Sequence, residues 1–423
     1  MMKLLLGLTL ISLVAAPAVG RGCETGLYRS PDGKESVAVT DLPDGSLRYT
    51  LDDGIRGIVG QPGALLSCIG EEIRTTAAKG SAAQWQRVPL KMRQTQFQSH
   101  GTTLSGVLIE PPAPRPHPLV VFVHGSERYS PLKLYYPYLF ASYGISVFAY
   151  DKRGTGQSEG EYTQNFELLA DDASAALREA RRLDQGRFTK AGFFGGSQGG
   201  WVAPLAATRS PADFVAVGFG LISSPIEEDR DQVADDLREK GFGQGDIAEA
   251  LELASAASAI AASHFTRGFE QFDALKRKYS SRRWYPYIKG EYTGAMLKES
   301  DADLRRVGQP LFDNVELIWN YDAPAVIRKL KVPLLWIFAE RDREAPPAIT
   351  LKRLSELKRR GADVVIYSFP HTDHGIYEFQ QAADGRRTVT RIASGYFPLL
   401  TDWIKGTALK DHYGTARRHR GVR

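Results

Sequence analysis

Between residues 95 and 224 the chain alternates short, wholly apolar runs with longer stretches whose apolar positions recur every three or four residues. Leu119-Val120-Val121-Phe122-Val123 is one such run, of the kind expected in a strand covered on both faces. Ile145–Tyr150, Phe188–Phe194 and Phe214–Phe219 repeat it. Between them, Leu134–Tyr143 reads as helical. Asn165–Leu183 reads as an amphipathic helix, with Phe166, Leu169, Ala173, Ala176, Leu177, Ala180 and Leu183 on one stripe. Its acids Asp171 and Asp172 lie early and Arg181 and Arg182 at its end, the signs that a helix dipole favours. Upstream, Thr95–Ser99 and Thr103–Glu110 flank His100-Gly101 as an antiparallel pair would. Strands alternating with helices at this spacing predict βαβ units in a largely parallel sheet.

The alternation stops near residue 225. The stretch 225–321 is Ala-rich and charged, with helical periodicity in Asp246–Ala262 and Phe269–Tyr279, and predicts a helical insertion over the active edge of the sheet. Its aromatics Trp284, Tyr285 and Tyr287 suit either the insertion's own core or the lining of an acyl or aryl pocket. Strands and helices resume with Val332–Ala339, Ile349–Arg360, Asp363–Phe369 and a closing helix over about Arg387–Ile404. The helix after Phe194 contains Pro204, which predicts a bend. Ahead of the sheet, Ser36–Thr40 and Ser46–Thr50 flank the turn Leu42-Pro43-Asp44-Gly45, and Asp52-Asp53-Gly54 turns into Ile55–Val59. This is expected to be a small β-rich appendage, structural or substrate-shaping. The expected organisation is a signal peptide at 1–20, the β-rich unit at 21–93 and an α/β core at 94–224 and 322–410. The helical insertion at 225–321 and a basic tail at 411–423 complete it.

The first of these segments changes where the protein is expected to work. Lys3 precedes an apolar run from Leu4 to Ala16 that exits through Ala16-Pro17-Ala18 and Ala18-Val19-Gly20, the layout of a secretory signal. The chain is therefore expected to be exported, periplasmic or secreted, with no integral membrane segment once the signal is removed. Cys23 and Cys68 are the only cysteines. In an oxidising compartment they are expected to pair, closing a loop of about 45 residues worth a few kcal/mol. The net charge of +5 falls mostly on Arg417, Arg418, Arg420 and Arg423, so a basic face for nucleic acid is excluded and the tail reads as a solvated, frayed end. No Cys or His cluster has the spacing of metal ligands.

The candidate chemistry centres on Gly195-Gly196-Ser197-Gln198-Gly199, which follows the run ending at Phe194 and opens a helix. This is the nucleophile-elbow pattern, in which a sharp strand-to-helix turn lifts a serine oxygen out of the sheet. The pentapeptide alone is a weak signal. A serine hydroxyl needs a general base and a group to orient that base. In a parallel sheet these gather beyond the carboxyl ends of the strands. Asp342 directly follows the run Leu334–Ala339, and His374 follows Val364–Phe369, so the order is Ser197, Asp342, His374. Glu340 and Asp373 compete as the acid, but one lies too close to its strand end and the other adjoins the histidine it would orient. His371 lacks the Asp-His-Gly context of His374. Donors for an oxyanion are expected from the N–H groups of Gln198 and of Ser126, in the loop His124-Gly125-Ser126-Glu127. His124 reads as a structural histidine bracing that loop. Asp151–Ser158 has a nucleotide loop's glycines without its Gly-Lys-Ser/Thr ending, and reads as a turn supporting the site.

With these residues in place the chain resembles the α/β-hydrolases of the serine esterase and S9-peptidase-like group. The likeness rests on His124-Gly125-Ser126, Asp151-Lys152-Arg153-Gly154-Thr155-Gly156-Gln157-Ser158, Gly195-Gly196-Ser197-Gln198-Gly199-Gly200-Trp201, Glu340-Arg341-Asp342-Arg343-Glu344-Ala345-Pro346 and Asp373-His374-Gly375, over roughly 95–224 and 321–405. It implies a mostly parallel eight-stranded sheet flanked by helices, with Ser197 as nucleophile, His374 as acid/base and Asp342 as its orienter. It implies no cofactor or metal, and a small ester or short peptide as substrate. An esterase is the first expectation, because no large propeller domain is apparent; a peptidase or amidase with the same triad is the alternative. Gly196 departs from the pattern, since many relatives carry a bulkier residue there, such as His.

Overall fold

The computed structural model describes residues 22–76 and 83–420; the expected signal and its cleavage site lie outside the described residues. The N-terminal unit contains β1 (Gly26–Arg29), β2 (Ser36–Asp41), β3 (Leu47–Leu51), β4 (Arg56–Ile58), β5 (Leu66–Ile69), β6 (Glu72–Thr75) and β7 (Gln86–Arg87). Five of these form an antiparallel sheet in the order β4-β3-β2-β1-β7, and β5 and β6 pair as a hairpin. Cys23 and Cys68 are bridged, with Cα atoms 5.7 Å apart. Cys23 belongs to this unit's own core, with Tyr28, Val37, Val39 and Leu51.

The chain then enters the main sheet through β8 (Lys91–Ser99) and β9 (Thr102–Glu110), followed by β10 (His117–Val123), α1 (Tyr136–Ser142), β11 (Ser146–Tyr150), α2 (Phe166–Asp184), β12 (Phe188–Gly196), α3 (Gly199–Arg209) and β13 (Val215–Gly218). Local signals explain the best-defined of these helices. The Asn165 side chain accepts from the N–H groups of Glu167 and Leu168 at the start of α2, and Gln185 closes it in the left-handed region. The insertion follows as α4 (Pro225–Glu239), α5 (Gln244–Ala262), α6 (Phe269–Tyr279), α7 (Thr293–Met296) and α8 (Asp301–Phe312), packed around a separate core that includes Leu253, Phe272, Trp284 and Met296. The sheet resumes with α9 (Ala323–Lys329), β14 (Leu334–Ala339), α10 (Pro347–Arg359) and β15 (Val364–Phe369). Three short strands come next: β16 (Thr372–Asp373), β17 (Tyr377–Gln381) and β18 (Arg387–Ile392). Then α11 (Tyr396–Lys405), β19 (His412–Tyr413) and β20 (Ala416–Arg418) end the described chain.

The strand order of the main sheet is β19-β20-β15-β14-β13-β12-β10-β11-β9-β8. The six strands from β15 to β11 are parallel, and antiparallel pairs cap both ends. From β10 the chain runs one way to β11, then returns to β10's other side with β12 and continues through β15. β10 and β12 therefore flank the switch point, where crevices open at the carboxyl ends of strands. Helices α2, α3, α9 and α10 cover one face, and α1 and α11 the other. Phe193 and Phe194, consecutive in β12, are fully buried against opposite faces. Each such burial contributes about 1.5–3 kcal/mol and fixes the strand that leads into the Ser197 turn.

Three expectations are corrected here. The sheet has ten strands rather than eight, because the basic C-terminus, as far as its described residues run, is not a frayed end. Ala416–Arg418 pairs with β15, and the His419 N–H donates to the Ile366 carbonyl. The closing helix begins at Tyr396, since Arg387–Ile392, expected as helix, pairs with β17. Four of its six residues, Thr388, Val389, Thr390 and Ile392, are β-branched, which favours a strand. Trp284 is fully buried in the insertion's core. Among the described residues no helix is long and apolar enough to cross a membrane.

Candidate active site

Ser197 sits at φ +54°, in the left-handed region, between β12 and α3. The turn is possible because its neighbours lack side chains. A Cβ on Gly195 would lie 2.2 Å from the Gly199 carbonyl oxygen, and one on Gly199 would lie 2.3 Å from that of Val123. Neither backbone oxygen has room to retreat, so any other residue at either position would push β10, β12 and α3 apart. The turn also puts Ser197 at the positive end of the α3 dipole.

The three sequence-predicted residues meet at the carboxyl ends of their strands. Ser197 Oγ lies 3.0 Å from His374 Nε2, and His374 Nδ1 lies 3.1 and 3.0 Å from the two oxygens of Asp342. Asp342 is buried, and its Oδ1 also accepts the N–H groups of Glu344 at 3.0 Å and Ala345 at 2.7 Å, which pin the carboxylate. Burial pushes the pKa of His374 down, but Asp342, joined by Glu344 and Asp373, outweighs it and holds the imidazole at about 9. The competing residues are engaged elsewhere. Glu340 accepts from Ser368 Oγ at 2.7 Å, and Asp373 accepts the Arg343 and His374 N–H groups and pairs with Arg387 at 2.7 Å. His371 is exposed.

Ser126 and Gln198, the expected oxyanion donors, follow β10 and β12, and both line a cavity with Ser197. Neither N–H donates to another described residue. Behind them His124 is buried, with Nδ1 3.3 Å from Glu127 Oε2 and its pKa lowered by burial and by Lys152. It braces the loop and makes no hydrogen bond to Ser197. Lys152 was legible only as part of a supporting turn. Its ammonium is buried, donating to the Gly125 carbonyl and to Gln198 Oε1, the latter at 2.7 Å.

Two cavities of about 320 Å³ each share Ser197 and His374. One runs beneath the insertion, between Trp201, Glu228, Glu291, Tyr292, Phe312 and Trp319. Burial, reinforced by Glu291 and other acids nearby, raises the pKa of Glu228 well above the usual carboxylate value. The other is aromatic, lined by Phe122, Tyr135, Tyr136, Phe219 and Tyr377. Gly196 matters for the second. A Cβ there would meet the tip of the Phe219 ring at 2.8 Å, and that ring stands edge-on to His374 with centroids 4.9 Å apart. The departure at Gly196 thus makes room for an aromatic wall beside His374. Neither Phe219 nor Tyr377 stood out in the sequence. Trp284, Tyr285 and Tyr287 line neither cavity.

Residues 114–268 match the family model described as serine aminopeptidase, S33. No curated protein matches the chain in sequence. Among solved structures, an esterase of Pyrococcus furiosus is similar at 14% identity and a TM-score of 0.41, over 67% of this chain and 83% of that one. An acylaminoacyl peptidase of Pyrococcus horikoshii is similar at 16% identity and a TM-score of 0.41, over 84% of this chain and 52% of that one. A proline iminopeptidase of Mycobacterium smegmatis is similar at 19% identity and a TM-score of 0.41, over 67% of this chain and 91% of that one. The strand order, the strand-to-helix turn at Ser197 and the matched family model together give the chain the α/β-hydrolase fold.

Proposed function

We propose that the protein is an exported serine hydrolase that cleaves carboxylic esters through an acyl-enzyme. The observation that carries this is the hydrogen-bonded chain from Asp342 through His374 to Ser197 Oγ, whose serine end shares a cavity with the unengaged N–H groups of Ser126 and Gln198. His374 Nε2 accepts the proton of Ser197 Oγ as that oxygen attacks the ester carbonyl carbon. The carbonyl oxygen becomes an oxyanion and accepts from the N–H groups of Ser126 and Gln198. Asp342 holds the imidazolium in the one orientation that can return the proton to the leaving alkoxide. Water then repeats the sequence on the acyl-enzyme, with His374 first taking its proton and then returning it to Ser197. The aromatic cavity suits an aryl or apolar acyl group. Export rests on the basic start, short apolar run and small-residue exit of residues 1–20, and on a disulfide that an oxidising compartment would preserve.

A peptidase reading draws on a separate observation. Glu228 and Glu291 line the cavity under the insertion and could face a protonated amine, and the matched family is described as an aminopeptidase. A fluorophosphonate probe should label the wild type and leave Ser197→Ala unlabelled; equal labelling of both overturns the nucleophile assignment. Turnover of p-nitrophenyl esters against aminoacyl and peptidyl anilides then separates the two readings. Faster turnover of the anilides would overturn the ester assignment.

A further inference from the structure

Lys152 is 2% exposed, and its ammonium forms no ion pair with a described residue. Burying a cation without a carboxylate partner is costly, so its two contacts call for an explanation. One is the carbonyl of Gly125, and the other is Oε1 of Gln198. These belong to the two segments that carry the unengaged N–H groups of Ser126 and Gln198. The Gly125 carbonyl and the Ser126 N–H are the two ends of one trans peptide unit and point in opposite directions. Holding that carbonyl on an ammonium therefore fixes the direction of the Ser126 N–H and polarises it. The hold is needed, because a glycine peptide turns easily. A side chain at Gly125 would also disturb the loop, since its Cβ would lie 2.9 Å from Glu127 Oε2, which would have to move.

We propose that Lys152 is a positioning residue that ties the Ser126 and Gln198 donors into one oxyanion site and places a buried positive charge behind it. The proposal rests on the serine-hydrolase reading, which supplies the oxyanion. Burial lowers the Lys152 pKa to about 8, partly opposed by Glu127, so the side chain stays mostly cationic at neutral pH. The ionisable groups that face it are Glu127 and His124, from the loop after β10. Lys152 itself donates only to the Gly125 carbonyl and Gln198 Oε1 and not to Ser197, so its charge acts through the segments that carry the donors.

The test uses the full exported chain and the variants Lys152→Met and Gln198→Ala. Each is assayed with a p-nitrophenyl ester and for binding of a phenylboronic acid, which adds to Ser197 Oγ as a tetrahedral anion. With folding verified by thermal melting, Lys152→Met is expected to lower kcat about 10- to 100-fold. Its KM should stay within about twofold, and boronate affinity should fall in parallel with kcat, because only the tetrahedral species carries the charge. An unchanged kcat, or a lowered kcat with full boronate affinity, overturns the proposal. Should Lys152→Met not fold, Gln198→Ala decides by the same pair of readouts, since it removes one arm and keeps both backbone donors. A wild type that fluorophosphonate does not label overturns the hydrolase reading and this proposal together. A labelled wild type with an indifferent Lys152→Met overturns this proposal alone.

Discussion

At the scale of single residues, Ser197 and His374 depend on neighbours of opposite kinds. Ser197 needs absent side chains. Gly199→Ala forces a Cβ to within 2.3 Å of the Val123 carbonyl, so it should cost about 1–3 kcal/mol in a denaturant melt and lower kcat together with it. Gly196→Ala meets only the tip of a movable ring and should leave stability nearly intact while narrowing the aromatic cavity, which esters of increasing acyl size would read. His374 instead depends on nearby charge. In the proposed mechanism only the neutral imidazole takes the serine proton. With its pKa held at about 9, kcat/KM should rise with pH below about 8 and flatten as the Lys152 ammonium loses its charge near 8; in Lys152→Met it should keep rising to a half-maximum near 9. Glu344→Gln removes one of the raising carboxylates and should move the midpoint to lower pH. The same shift acts on stability with the opposite sign. A folded pKa above the ordinary 6.5 stabilises fully below that pH, and this contribution disappears as pH passes through about 9. A pH series that follows melting and rate together would check both trends.

At the scale of elements, the sequence was most readable where one periodicity ran long. α2 and the apolar strands β10 to β15 follow directly from stripes and runs, and Ser197, Asp342 and His374 were identifiable because each lies just beyond such a strand. Contacts made across the site left no such mark. Lys152 sits in a loop whose glycines explain themselves locally, and its two partners lie 27 and 46 residues away. Phe219 and Tyr377 are single aromatics with no pattern around them. The C-terminus was misread for a related reason: Ala416–Arg418 carries two arginines next to the outermost strand β19, and charge in a tail looks like solvation. Deleting 411–423 uncovers β15, and is expected to lower the melting temperature and produce concentration-dependent aggregation by light scattering. An unchanged, monodisperse truncation would remove that role.

At the scale of the whole molecule, the N-terminal unit touches the element that carries His374. Ile55 bridges to Arg391, the Ile392 N–H donates to Gly54, and the Arg56 guanidinium lies 4.5 Å over the ring of Tyr377, in the hairpin just after His374. The Cys23–Cys68 bridge spans 45 residues, and by loop entropy its removal should cost about 4 kcal/mol, felt within this unit. Cys23→Ser with Cys68→Ser should therefore lower both stability and kcat; a loss of stability with full kcat would show the unit to be independent of the histidine. The spacing of the site along the chain has a temporal consequence as well. Ser197 is synthesised 177 residues before the histidine that, in the proposed mechanism, deprotonates it. A ribosome-bound chain therefore carries a serine turn with no base, and fragments truncated anywhere before residue 374 should be inert toward fluorophosphonate. Reactivity would arrive only once synthesis has passed residue 374, so no separate inhibitor need be held against the shorter unfinished copies.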